Sequence, residues 1–298
     1  MPVSRRSLLL ASTAILGRRA APGATPGFEP SADGSFLFDT GVLKGTFRKE
    51  GRSVGLIPVT HIPSGASLAS SMGLFGVYRT FGNGRRYGTG MWYVPSEVNT
   101  DAKGAVTEMW PAALERPFTM NARYRWAAPN ILDVSIEVTA VEDLSGFETF
   151  LASYFGPSFT SAKVLVKGGT LMPAEHANGK WQMFPRDPAA VKLIYDGRWK
   201  FPPNPVEWAK MPDFELPISI RTDPAAGLSV VIMAPARDCF AIATPEESDQ
   251  HHSTYLSLFG LDLKKGASAR ARARLIVLPA PDPGQLRGLY SKWIAGKE

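Results

Sequence analysis

The chain has 298 residues, of which 44% are hydrophobic and 20% charged, and its formal net charge is +6. Its only cysteine, Cys239, excludes an internal disulfide, so an ordinary hydrophobic core must stabilise the fold, and this length is ample for one. Arg5, Arg6, Arg18 and Arg19 supply four of the net positive charges, which leaves +2 on the rest of the chain and gives no case for a nucleic-acid partner.

The first 24 residues have the pattern of a cleavable export signal. Arg5 and Arg6 stand just before the apolar run of residues 8–16, and adjacent arginines ahead of a modest apolar run are typical of the twin-arginine route. The run is far shorter than the roughly 20 residues of a transmembrane helix, so no membrane anchor is expected after cleavage. We predict a signal over residues 1–24 and one domain over residues 25–298 that is periplasmic or secreted. A disordered basic N-terminus is the alternative.

Most of the remaining chain is expected to form strands, because short apolar and β-branched runs recur between Gly, Pro, Asn and Asp. Asn83, which stands between two glycines, indicates a hairpin turn. The proline-rich residues 201–205 are expected to form a surface loop. The runs that we expect as strands are residues 35–47, 54–62, 124–140, 163–167, 190–195, 228–234 and 254–263.

Two runs alternate with period two, which predicts antiparallel strands with one buried face. Residues 131–139 place four aliphatic side chains on one face and Asp133, Ser135, Glu137 and Thr139 on the other. Residues 269–274 alternate alanine with arginine. The arginine side is expected to be a solvated sheet face, and a basic binding stripe is the alternative.

One helix is predicted, at the end of the chain. Asp282 and Pro283 start a segment whose apolar residues recur at helical steps, namely Leu286, Leu289, Tyr290, Trp293 and Ile294. Many strands, one terminal helix and long loops predict an all-β fold, a large antiparallel two-sheet sandwich.

Several segments carry a family resemblance. Residues 76–79 and 85–87 combine aromatic side chains with arginines, residues 122–126 lead into the alternating run, and residues 147–155 and 255–260 are rich in aromatics. In these features the chain resembles the galactose-mutarotase-like (aldose-epimerase-type) β-supersandwich superfamily. The resemblance implies a supersandwich with a concave sheet face that binds a sugar. The early asparagine–histidine pair and the late glutamate segment of the epimerases are not found here, so mutarotase activity itself is not implied.

Histidines and acids supply the candidate catalytic groups. Imidazole is the side chain most easily used as an acid or base near neutral pH. Glu246, Glu247 and His251 stand just before the run at 254–263, and His176 lies in a segment followed by aromatics. Period two places His251 on the same strand face as Tyr255, opposite His252. Two loop histidines without a catalytic role are the alternative.

Five side chains are the candidate substrate-binding residues. Trp181 and Tyr255 offer rings for the CH faces of a sugar, with a purely structural tryptophan as the alternative. Arg79 and Arg86, beside Tyr87, could clamp a carboxylate or hydroxyls of an acidic sugar through a planar fork, and a salt bridge inside the sandwich is the alternative.

The sequence therefore predicts an exported carbohydrate-active enzyme. His176 and His251 would share proton transfer and Glu246 or Glu247 would assist, for epimerisation, elimination or hydrolysis. No cofactor is required. A divalent metal held by the histidines and an acid is an alternative, although a close metal-ligand spacing is not found. The competing class is a noncatalytic carbohydrate-binding or envelope-associated sandwich.

Overall fold

Strands dominate the computed structural model, which describes residues 26–48, 55–174, 180–245 and 252–297. The predicted signal at residues 1–24 and the candidates His176, Glu246, Glu247 and His251 lie outside the described residues. The strands are β1 Phe28–Pro30, β2 Phe36–Asp39, β3 Leu43–Arg48, β4 Gly55–His61, β5 Gly76–Gly82, β6 Arg85–Arg86, β7 Glu97–Thr100, β8 Val106–Trp110, β9 Phe118–Ala128, β10 Ile131–Ala140, β11 Leu144–Tyr154, β12 Ser161–Val166, β13 Thr170–Pro173, β14 Trp181–Pro185, β15 Trp208–Lys210, β16 Phe214–Asp223, β17 Leu228–Met233, β18 Cys239–Thr244, β19 Ser253–Leu263 and β20 Ser268–Pro279. The helices are α1 Pro188–Ile194, α2 Pro283–Ile294 and two 3-10 turns, Met91–Tyr93 and Arg198–Lys200.

The strands form three sheets. The largest has nine strands in the order β13-β12-β16-β17-β20-β10-β9-β8-β7, and the second has seven in the order β15-β14-β18-β19-β11-β5-β6. The first four strands make a separate sheet. Pairing is antiparallel except between β14 and β15. The predicted all-β class and two-sheet antiparallel sandwich with a C-terminal helix are confirmed.

A shared core fills the space between the nine-stranded and seven-stranded sheets. Leu132 and Trp126 contribute from the first sheet, and Leu151 and Leu256 from the second. Phe38 of the four-stranded sheet joins this core, with its ring 5.0 Å from that of Trp126. The seven-stranded sheet is therefore covered on one face by the core, and its opposite face, here called the outer face, is left for other elements.

The two alternating runs pair with each other. β10 lies beside β20 with Asp133 opposite Arg274, and the aliphatic side chains of β10 are buried, as the period-two pattern predicts. Ala271 and Ala273 are also buried, whereas Arg270 is exposed. Arg274 departs from the expected solvated face because Trp293 of α2 covers its guanidinium and Asp133 accepts from it at 2.7 Å.

The C-terminal helix is confirmed, and its start is fixed by local chemistry. Asp282 accepts from the Gln285 amide at 2.8 Å, while the Gln285 side chain accepts from the Asp282 amide, which is a capping box. Leu286, Tyr290 and Trp293 are buried against the nine-stranded sheet on the face away from the shared core. None of the helices in the described part of the chain is long and apolar enough to cross a membrane.

Three strand predictions need correction. Residues 190–195 belong to the end of helix α1 and not to a strand, because Asp187 accepts from the Ala190 amide at 2.9 Å and Pro188 occupies the first helical turn. Ala190 and Ile194 then share a buried helix face. The runs at 35–47 and 124–140 are each a pair of strands joined by a tight turn, and not one continuous strand.

Candidate functional site

A cavity of about 810 Å³ opens on the outer face of the seven-stranded sheet, within the range of roughly 300–1,000 Å³ typical of small-molecule sites. We call it the aromatic cavity. It is lined by Met72, Tyr78, Arg79, Arg86, Thr89, Trp92, Tyr93, Phe150, Tyr154, Trp181, Trp199, Pro203, Asn204, Pro205, Val206 and Tyr255. Strands β5, β11, β14 and β19 form its floor, and the segments at 89–93 and 199–206 form its walls.

Two ring stacks shape the interior. Tyr78 stacks on Trp92 with centroids 4.3 Å apart, and Phe150 stacks on Tyr255 at 4.6 Å and 9°. Trp181 lies 5.2 Å from Tyr255 at the start of β14. Phe150 and Tyr255 are buried and support their neighbours, whereas the half-buried rings of Tyr78 and Trp181 present rigid faces to a ligand.

Gly90 allows the backbone of the wall at 89–93 to lie close to the stacked rings of Tyr78 and Trp92. A Cβ at this position would lie 2.9 Å from the indole nitrogen of Trp92 and 3.2 Å from the Tyr78 ring. Only glycine leaves room for the chain beneath this stack.

Arg79 is buried in the cavity floor. Its guanidinium carbon lies over two aromatic rings, 5.0 Å from the Tyr78 ring centroid and 5.2 Å from that of Trp199. Only 5% of the residue is exposed. It donates to the Tyr78 hydroxyl at 3.3 Å, and its Nε has no hydrogen-bond acceptor among the described residues.

Arg86 reaches the cavity from the edge strand β6. Asn83 and Gly84 both have positive φ, 53° and 63°, which is the backbone that a two-residue hairpin turn requires, so the predicted turn is confirmed. This register sends Arg86 into the cavity, where it donates to the carbonyls of Pro203, at 2.8 Å, and of Thr89. Desolvation by burial, and then the charge of Arg79, lower the pKa of Arg86 to about 10, and Tyr78 opposes this only in part.

A buried ion pair fastens the wall that carries Trp199. Arg198 donates to Glu148 at 3.1 Å, to the Gly146 carbonyl at 2.7 Å and to Asp196 at 2.8 Å. Burial raises the pKa of the Glu148 carboxyl, and Arg198 partly opposes that rise. Gly146 has φ 55°, and a Cβ there would meet the Arg198 guanidinium at 2.6 Å, so this position also requires glycine.

The described lining offers hydrogen-bond donors but contains no carboxylate. The indole N–H groups of Trp92 and Trp199 are buried without an acceptor among the described residues. Desolvation by burial, and then the neighbouring Tyr255 and Tyr78, raise the pKa of Tyr154 well above its ordinary value, which keeps its hydroxyl protonated. The described part of the cavity can therefore bind and orient an oxygen-rich ligand.

Of the predicted substrate-binding residues, the structure brings together Arg79, Arg86, Trp181 and Tyr255 around one cavity. Tyr87 does not line it. Its ring is buried in the shared core, 5.2 Å from that of Phe118, with Arg85 over its face. The hairpin alternation explains this difference, because Arg86 and Tyr87 are neighbours in the chain and face opposite sides.

His176, Glu246, Glu247 and His251 lie outside the described residues. His252 is described, and its carbonyl accepts from the Phe155 amide at 3.0 Å. Within the described ranges, His, Cys, Asp and Glu side chains form no group of three that could hold a metal ion.

Sequence reasoning missed much of the wall. The cavity is lined by Trp92, Trp199 and the proline-rich loop at 203–205. The sequence predicted that segment only as a surface loop. The sequence does contain a signal for these walls, because two of the wall segments combine a tryptophan with a nearby glycine or proline, as at Gly90 and Trp92.

No protein-family model matches the sequence, and no curated protein matches it either. Among solved structures, a galactose mutarotase-like protein from Clostridium acetobutylicum is similar over 83% of this chain and 95% of that one, with 9% identity and a TM-score of 0.49. The Slr1438 protein of Synechocystis sp. PCC 6803 is similar over 88% of this chain and 100% of that one, with 11% identity and a TM-score of 0.51.

The α-N-acetylgalactosaminidase NagBb of Bifidobacterium bifidum is also similar, with 10% identity and a TM-score of 0.52. The match covers 88% of this chain and 38% of NagBb. A galactose mutarotase-like protein is thus among the similar structures, as the sequence resemblance predicted. The two TM-scores above 0.5 show a shared fold.

Proposed function

We propose that this chain is an exported carbohydrate-active enzyme that holds a sugar or glycan in the aromatic cavity. The carrying observation is the cavity itself, in which the exposed or half-buried rings of Tyr78, Tyr93 and Trp181 stand around the guanidinium groups of Arg79 and Arg86. Sugars present CH faces that stack on rings and hydroxyl oxygens that need convergent hydrogen bonds, and this lining supplies both.

The similarity to NagBb supports a carbohydrate ligand. That protein is named as a glycosidase, and its structure has also been determined with GalNAc, at 11% identity to this chain and a TM-score of 0.51. Export rests on the arginine pair and the short apolar run at the start of the chain.

We assign the acid–base steps to His176 and His251, with Glu246 or Glu247 assisting. Each histidine precedes a cavity residue in the chain, since Trp181 follows His176 by five positions and Tyr255 follows His251 by four. Within the described lining, the ionisable side chains are arginine and tyrosine, which serve poorly as general bases near neutral pH.

Turnover of neutral and acidic glycan panels tests this assignment. We expect His176→Ala and His251→Ala each to lower kcat by about 10²–10⁴, the usual contribution of general acid–base catalysis. The matched control is His61→Ala, since His61 lies on β4 of the four-stranded sheet and contacts Ser64. Turnover in both variants equal to that of the unmodified protein would remove the proposed catalytic roles.

A noncatalytic carbohydrate-binding protein is the second candidate function, because the described lining contains no carboxylate. The same panels separate the two candidates. Saturable sugar binding with no product from any glycan, measured by NMR of the reaction mixture, would favour the binding protein.

A further inference from the structure

The aromatic cavity contains two guanidinium groups whose charge no described carboxylate neutralises. The ion pairs of the described residues join acids to lysines or to other arginines, and none involves Arg79 or Arg86. The nearby acids Glu148 and Asp196 are both engaged by Arg198. A salt bridge inside the sandwich, the alternative left open by the sequence, is therefore not formed within the described residues.

Burial of a charged group without a counterion is costly, and the described residues supply no counterion to Arg79 or Arg86. Two other buried arginines are compensated by carboxylates. Arg198 pairs with Glu148, and Arg274 donates twice to Asp133. Arg221 also has no carboxylate partner, but it donates to the Ser253 carbonyl at 2.6 Å and to the Thr254 hydroxyl at 3.3 Å, and it is not part of the cavity lining.

Arg79 differs from these residues because most of its hydrogen-bonding capacity is unused. A guanidinium carries five N–H donors, and Arg79 makes one hydrogen bond to the described residues, to the Tyr78 hydroxyl. Because the N–H bonds of a guanidinium lie in its plane, a further acceptor must approach Arg79 from its edge. Arg86, held by two carbonyls, adds a second positive charge to the same cavity.

We propose that the ligand is an acidic saccharide, in which a uronate carboxylate accepts from the edge of Arg79 and is neutralised by Arg79 and Arg86 together. This inference rests on the proposed function, because it names the class of sugar that the same cavity binds. A planar carboxylate matches the guanidinium fork, and such charge-assisted hydrogen bonds are about twice as strong as neutral ones. An ester sulfate offers the same negative oxygens, so both sources enter the test.

Equilibrium binding to the full-length protein distinguishes these ligands. Calorimetric titration would use short oligomers of galacturonate, glucuronate and mannuronate, each beside its carboxyl-reduced counterpart, which keeps the linkage and loses the charge. Sulfated neutral oligosaccharides form a third arm. We expect at least one uronate oligomer to bind about tenfold or more tightly than its reduced counterpart, and more tightly than the sulfated sugars.

Variants of the cavity arginines test whether the preference for a charged oligomer arises in the aromatic cavity. Arg86→Gln should remove most of the preference for the charged oligomer, whereas Arg85→Gln, one residue away in the same hairpin and exposed, should retain it. Arg79→Lys keeps a charge in the floor but loses the planar fork, so it should weaken uronate binding more than binding of the reduced sugar. A preference that persists in both cavity variants would overturn the proposal.

The remaining outcomes of the titrations distinguish a failure of the acidic-saccharide proposal from a failure of the proposed sugar site. Reduced oligomers that bind as tightly as the uronates would overturn the acidic-saccharide proposal and leave the proposed sugar site standing. Tighter binding of sulfated sugars would overturn the assignment to a carboxylate. Binding of no acidic, reduced or neutral oligosaccharide would overturn the proposed function as well.

Discussion

Arg198 decides the position of one cavity wall. Its guanidinium joins β11, through Glu148 and the Gly146 carbonyl, to the 3-10 turn that carries Trp199. Trp199 in turn lies 4.5 Å from the Phe150 ring and covers one face of Arg79. A single buried charge therefore supports both an aromatic wall and the ligand-facing arginine.

Arg198→Met should destabilise the fold strongly. Glu148 is fully buried, and removal of its partner leaves a carboxyl without a compensating charge, which costs about 3–5 kcal/mol in the free energy of unfolding. Urea unfolding measures this loss. Arg125→Met is the matched control, because Arg125 pairs with Asp133 with nearly half of its side chain exposed, where a loss of about 0–1 kcal/mol is expected.

The loss in Arg198→Met should depend on pH with a defined sign. Burial holds the pKa of Glu148 above its ordinary value of 4.5, and removal of Arg198 raises that pKa further. A carboxyl whose pKa is raised by folding stabilises most when protonated, below its unfolded pKa, and loses that contribution as the pH rises. The variant should therefore approach wild-type stability as the pH falls below 4.5, the ordinary pKa of a glutamate carboxyl. Equal losses at acidic and neutral pH would contradict this account.

At the scale of elements, local patterns predicted the strands that have one buried face. β10 and β20 alternate because one face meets the shared core, and the Asn83–Gly84 turn has residues that tolerate positive φ. Helix α1 was misread because its apolar residues suit a strand equally well. Its cap at Asp187 lies outside the apolar run and decides the conformation.

In the seven-stranded sheet, local sequence patterns do not predict which face of a strand is buried. β18 is buried along its whole length, and β19 is buried from Ser253 to Phe259, since the core covers one face and the cavity elements cover the other. A strand buried on both faces carries no alternation. The period-two pattern correctly separates Tyr255, in the cavity, from Leu256, in the core. The sequence alone does not show that the outer face of this sheet carries a site.

At the scale of the whole molecule, the cavity is assembled from distant parts of the chain. Arg79 and Arg86 come from β5 and β6, Trp181 and Tyr255 from β14 and β19, and Trp199 from the connection after α1. The sequence predicted four of these side chains, Arg79, Arg86, Trp181 and Tyr255, as substrate-binding residues, each from its own chemistry. Their convergence depends on the strand order β14-β18-β19-β11-β5-β6, which long-range pairing determines and no local pattern encodes.

Export of the whole chain gives a separate prediction. Arg5→Lys combined with Arg6→Lys should leave the protein in the cytoplasm of a bacterium with a twin-arginine translocase, because this route reads the arginine pair. Cell fractionation and immunoblotting measure the distribution. Arg18→Lys combined with Arg19→Lys is the control that changes the same residue types after the apolar run. Unchanged export of the first variant would refute the assigned route.

The central claim is that the aromatic cavity binds a saccharide, and a crystal structure of the protein saturated with its tightest-binding oligosaccharide tests it most directly. We predict a sugar ring against the half-buried ring of Trp181, with an anionic group at the edge of Arg79. An oligosaccharide seated instead in the arginine-lined groove of the nine-stranded sheet, between Arg123 and Arg270, with the aromatic cavity free of sugar, would contradict the account.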